Sequence, residues 1–124
     1  MIKHRPLVKS FQYALEGVWF TLKYNQNIRI HLVIAILVIL ASIFFKVSAF
    51  EMGILGIMIL LVISAEMINT SLEEMTNLIT LEHRQEAKIA KDVSAGMVLL
   101  VSVGSVVVGV LVFLPHVLRL FRAS

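Results

Sequence analysis

Cysteine is absent from this 124-residue chain, which removes a disulfide framework, a thiol nucleophile and a thiolate metal site together. No glycine-rich phosphate loop occurs either, so the nucleotide-binding folds that depend on one are excluded. Charge is scarce: Asp, Glu, Lys and Arg make up 15% of the residues and sum to +3. The basic residues are scattered along the N-terminus and one hydrophilic segment, not interleaved with aromatics, and a nucleic-acid partner is not expected. The residues after Pro6 are amphipathic where a secretory leader would be uniformly apolar, so no leader layout is read there. The length leaves room for a single domain over residues 1–124.

What is present is apolar. Hydrophobic residues account for 59% of the chain and the mean hydropathy is +0.93, well above the share found in soluble domains, which identifies a membrane protein. Between about residues 7 and 25, Leu7, Val8, Phe11, Ala14, Leu15, Val18, Trp19 and Leu22 fall on one side at ~100° per residue, opposite Lys9, Gln12, Glu16 and Lys23. Phe20 on the polar side breaks the pattern. This predicts an amphipathic helix suited to the membrane surface. Three transmembrane helices are expected after it, at about 30–46, 50–79 and 92–118. The first is slightly short, with Arg29 and Lys46 placed to snorkel at its ends. "KVSAFE" makes a tight connection to the second. Thr80 to Lys91 reads as a hydrophilic loop, and Gly96, Ser102, Gly104, Ser105 and Gly109 in the last helix are of the size that lets membrane helices approach closely.

Lys and Arg then set the topology. Lys3, Arg5, Lys9, Lys23, Arg29, Arg84, Lys88 and Lys91 fall on one side and only Lys46, Arg119 and Arg122 on the other. The positive-inside rule puts the N-terminus and the hydrophilic loop in the cytoplasm.

Facing that same compartment is the polar end of the second span, "AEMINTSLEEMTN". Advancing ~100° per residue from Glu66 places Asn69, Thr70, Glu73 and Asn77 within ~60° of it, while Met67, Ile68, Leu72, Met75, Leu78 and Ile79 take the other arc. Carboxylates near the bilayer are costly and normally face a cavity or a partner. Glu66 lies deepest; Glu74 points about 100° away from Glu73 and fits water equally well. Two carboxylates about two turns apart suit a division of labour. The deeper one accepts a proton from a hydroxyl held in the membrane, and the shallower one binds a divalent cation carrying nucleotide phosphates. Lys91 and Asp92 add a cation and an anion at the same face, although Asp92 equally suits a helix N-terminus.

"EMINTSLEEMTN", followed after a charged segment by "AKIAKDVSAGMVLL" and preceded by "NQNIRIH", resembles the small prokaryotic diacylglycerol kinase and undecaprenol kinase family from about Lys9 to Leu111. The resemblance implies an all-α integral-membrane homotrimer, with a surface helix and three spans per protomer, active sites shared between subunits, and ATP and Mg2+ as donor and cofactor. The partner is a membrane lipid carrying a hydroxyl, undecaprenol or diacylglycerol, in a bacterial plasma membrane. It further implies that Glu66 is the general base, that Asn69 orients the reacting groups, that Glu73 binds the metal, and that Lys91 and Asp92 belong to the nucleotide site together with Gly17. Asn27, Arg29 and His31 match the undecaprenol kinase branch. Asn25 stands where many members carry a second metal-binding glutamate, and Asn77 where many carry an aspartate; an amide oxygen ligates magnesium without the charge.

Two other readings remain open on the residues alone. One intramembrane glutamate in a short multi-helix chain is also how a proton-coupled transporter is built. Asn25 and Asn77 would also suit a kinase-derived protein that has lost catalysis. Lipid-dependent ATP turnover separates the kinase from both.

Overall fold

The computed structural model describes residues 6–123; Lys3 and Arg5, which enter the charge count above, lie outside them. The described residues form four helices and no strand: α1 (Leu7–Tyr24), α2 (Gln26–Phe44), α3 (Ala49–Ile79) and α4 (Gln85–Arg122). The α1–α2 and α2–α3 junctions have local causes. Asn25 takes an extended conformation between α1 and α2, and its side-chain oxygen accepts from the backbone N–H groups of Asn27 and Ile28. That is an N-cap, and it starts α2 at Gln26, ahead of the first apolar run at Ile30. At the other end of α2 the N–H of Val47 reaches Ser42 O and that of Lys46 reaches Ile43 O, both at 3.2 Å, with Lys46 at φ 52°. This Schellman closure is normally given to glycine, and a side chain there costs about 1–2 kcal/mol. Ser48 then opens α3 with a capping box: its hydroxyl accepts from Glu51 N, and the Glu51 carboxylate accepts from Ser48 N.

The hydrophilic segment from Thr80 differs from the sequence-based expectation. Only Thr80–Arg84 is non-helical, and α4 is already formed from Gln85, so Lys91 and Asp92 sit on its second turn. Glu86, Ala87, Lys88, Ala90 and Lys91 are strong helix formers, and Lys88 pairs with Asp92 one turn on. Polarity without glycine or proline does not stop a helix. Pro115 does not end α4 either, which continues to Arg122.

α3 and α4 pack along one another as the main hairpin, α2 leans on α3, and α1 touches α2 and α3 lightly. The buried apolar set is small: Ile28, Ala35, Leu55, Val62, Ala65 and Val112. Large aliphatic side chains such as Leu37 (59% exposed) and Leu100 (76%) point outward instead. Water does not solvate such surfaces cheaply, whereas lipid does. Three helices are long and apolar enough to cross a membrane. At 1.5 Å per residue α2 is about 28 Å long, matching a hydrocarbon core of ~30 Å, while α3 and α4 are about 46 and 57 Å and must project beyond it. Among the glycines of α4, a Cβ at Gly104 would meet Met58 Cε of α3 at 4.0 Å, an ordinary contact. A Cβ at Gly96 or Gly109 meets nothing within 4 Å, so these do not mediate close approach within one chain. The hairpin is tied at the Lys46 end by His116 Nε2 and Glu51 Oε2 at 3.0 Å, with the Phe45 ring 6.3 Å from the imidazole. Its other end carries the polar stripe.

Candidate active site

Glu66 is 2% exposed on α3, at the level where α2 begins. Its burial follows from the short extended link at Asn25, which folds the start of α2 against α3 and seats Ile28 in the core. Polar neighbours receive the carboxylate. His31 Nε2 is 3.2 Å from Oε1, and Asn25 Nδ2 donates to Oε2 at 3.4 Å. Asn25 Nδ2 also donates to Thr70 Oγ1 at 2.7 Å, and the Thr70 hydroxyl donates to the Glu66 carbonyl at 3.0 Å.

One turn along, Asn69 is 8% exposed. Its Oδ1 accepts from the Ser94 hydroxyl at 2.7 Å, and its Nδ2 donates to Glu73 Oε1 at 3.3 Å. A carboxylate requires a donor, so this contact fixes which end of the amide faces Glu73. The stripe therefore crosses from a dry end to a wet one: Glu66 and Asn69 are buried, while Glu73 and Asn77 are exposed. Glu73, Glu74, Asn25 and Asn69 border a cleft of about 250 Å³ that Phe20 and Tyr24 of α1 help to close.

A second, wider concavity of about 740 Å³ lies at the α3–α4 loop, edged by Asn77, His83, Arg84, Lys88, Lys91 and Asp92. Lys91 Nζ donates to Asn77 Oδ1 at 2.8 Å, and Asp92 accepts from Lys88. The expected site residues thus fall into two adjoining groups on one face of α3: Glu66 with Asn25, His31 and Thr70, and Asn69 with Glu73 and Ser94. Lys91 and Asp92 edge the neighbouring concavity. Gly17 stands exposed on α1 and borders neither. Thr70 and Ser94, to which sequence reasoning gave no role, hold the amides of Asn25 and Asn69. Thr70 was legible as the i+4 neighbour of Glu66; Ser94 was hidden among the apolar residues of its helix.

The sequence profile of the prokaryotic diacylglycerol kinases matches residues 12–113, which includes every one of these side chains. The chain belongs to that family. It is accordingly a membrane-embedded lipid kinase of the diacylglycerol kinase type. The undecaprenol kinase of Bacillus subtilis (strain 168) is 36% identical over 107 residues, covering 86% of this chain and 87% of that one. The diacylglycerol kinase of Synechocystis sp. (strain ATCC 27184 / PCC 6803 / Kazusa) is 36% identical over 115 residues, 92% of this chain and 66% of that one. In this family member, no three His, Asp or Glu side chains converge among the described residues, so these residues build no closed cage for a cation. Asn25, expected to ligate the metal, has its oxygen turned to the backbone of α2.

Proposed function

We propose that this kinase transfers the γ-phosphate of ATP to the hydroxyl of undecaprenol or diacylglycerol at the cytoplasmic face of a bacterial plasma membrane. The observation that carries the reading is Glu66: a carboxylate 2% exposed, placed where the apolar part of α3 gives way to its polar end. An ionisable group held at that depth is expensive and calls for a function. An apolar cavity of about 210 Å³ extends from His31, which touches Glu66, past Ala35 and Val62 to Phe113. A lipid chain lying in it brings its hydroxyl to the carboxylate from within the membrane, and Glu66 takes the proton as the oxygen attacks.

Asn69, held at both ends of its amide by Ser94 and Glu73, orients the groups between base and nucleotide. Glu73 and Glu74 offer exposed hard oxygens on one cleft, and they fit magnesium brought in by a nucleotide, because that cation takes one or two carboxylates along with phosphate oxygens and water. When bound, magnesium supplies charge neutralisation to the phosphates. Lys91 contributes a fixed cation beside them, steered by Asn77. Asp92 acts with Lys88 to hold the first turns of α4 in place. A nucleotide role for Gly17 rests on the family resemblance alone, since it borders neither cavity. The cytoplasmic orientation rests on the distribution of Lys and Arg, and the placing of α1 at the membrane surface on its apolar stripe. The homotrimer is supported by the family resemblance alone.

The test is transfer of labelled γ-phosphate from Mg-ATP to undecaprenol and, separately, to diacylglycerol in mixed micelles. Labelling of one lipid in preference establishes the reaction and names the acceptor. No labelling of either by folded protein, with nucleotide and magnesium varied widely, refutes it.

A further inference from the structure

Accepting the kinase reading above, we infer that Asn25, together with His31, is a positioning residue that holds the Glu66 carboxylate, and that Asn25 does not ligate magnesium. The hydrogen bonds leave no other use for its amide. Its oxygen has two lone pairs, and two backbone donors occupy them: Asn27 N at 2.9 Å and Ile28 N at 3.4 Å. Its nitrogen has two protons, directed to Thr70 Oγ1 and Glu66 Oε2.

The orientation has an independent check. Thr70 owns one proton and donates it to the Glu66 carbonyl, so its oxygen can only accept from Asn25. Turning the amide over would set an oxygen against that lone pair and against a carboxylate, and would strip the cap from α2. Both oxygens of Glu66 are thereby held from one side, Oε2 by Asn25 and Oε1 by His31, and each keeps a second lone pair for a substrate hydroxyl. The amide that stands where the family resemblance implies a glutamate does different work here, holding the base from the end of α1.

The two roles predict opposite signs. Asn25→Asp preserves the cap, since a carboxylate oxygen accepts the same backbone N–H groups, but it replaces a donor to Glu66 with a repelling charge. A positioning role requires kcat to fall at least about tenfold, as small displacements of a reacting group do, with half-saturating magnesium unchanged. A ligand role requires the reverse: a charged ligand in place of a neutral one, tighter magnesium activation, and kcat kept or raised. His31→Gln keeps a nitrogen donor near Oε1 and should retain most of kcat, whereas His31→Leu should lose it with KM for Mg-ATP unchanged; equal rates in the two would remove His31 from the role. A measurement free of turnover completes the test. Mn2+ bound with a non-hydrolysable ATP analogue, followed by electron paramagnetic resonance, should bind wild type and Asn25→Ser equally, serine being another cap. Loss of about tenfold or more in Mn2+ affinity in that variant would overturn the inference while leaving the kinase reading intact. Absence of phosphoryl transfer by the wild type would remove that reading, and the positioning role with it.

Discussion

Replacing Glu66 by Gln tests the base with little disturbance to its surroundings. The side chains are nearly isosteric, and the contacts can be re-made. With the new amide oxygen toward Asn25 Nδ2 and the new NH2 toward His31, the imidazole need only present its other tautomer to accept. Both contacts survive, a buried charge disappears, and the folding cost should stay within about 1–2 kcal/mol. Chemistry has no such repair, because an amide cannot take the proton of an alcohol. Loss of a positioned general base costs about 10²–10⁴ in rate, or roughly 2.7–5.5 kcal/mol of barrier. Initial rates of label transfer from Mg-ATP to lipid, at saturating levels of each, should therefore fall by at least about a hundredfold. Thermal unfolding in the same detergent should stay close to wild type. A variant that keeps its fold and turns over within about tenfold of wild type would take Glu66 out of the base role.

The polar supports and the basic rim make separate predictions. Ser94→Ala strands the buried Asn69 oxygen, so it should destabilise the fold by about 1–3 kcal/mol and lower its melting midpoint; an unchanged midpoint would mean that the Asn69 contact is dispensable. Lys91→Met should raise KM for ATP by about tenfold or more while leaving KM for the lipid alone, as expected for a charge at the nucleotide, and an equal effect on both would contradict that division. Ser102 is the reverse case: its hydroxyl is buried in α4 with no partner among the described residues, so Ser102→Ala should melt at or above the wild-type temperature. A clear loss of stability there would show that the hydroxyl is satisfied in the membrane.

The helices and the polar stripe could be read from the sequence because they rest on periodicity. A run of apolar residues needs only length to span a bilayer, and ~100° per residue puts Glu66, Asn69, Thr70 and Glu73 on one face whatever packs against it. What periodicity cannot give is the partner across the gap. His31 and Glu66 are 35 positions apart by their numbers, and only the fold of α2 on α3 makes them neighbours. The same holds for Ser94 and Asn69. The start of α4 is hidden for a different reason: its charge reads as loop, although Glu, Ala and Lys are good helix formers and the segment lacks glycine and proline. Asn25 was legible as a cap, being an asparagine just ahead of an apolar helix. The resemblance turns attention to the charge that Asn25 lacks and away from the cap.

The closure at Lys46 bears on how the protein is made. α2 and α3 are joined by Phe45 to Ser48 alone, and that link satisfies its own backbone through the left-handed Lys46 and the Ser48–Glu51 box. The connection therefore carries few unpaired polar groups and a single lysine, which keeps the cost of bringing it near a bilayer low. The two helices can enter a bilayer together as a finished hairpin while α4 is still in the ribosome. Ser94 follows with α4 and holds Asn69, so packing of the last helix and completion of the polar stripe become the same event.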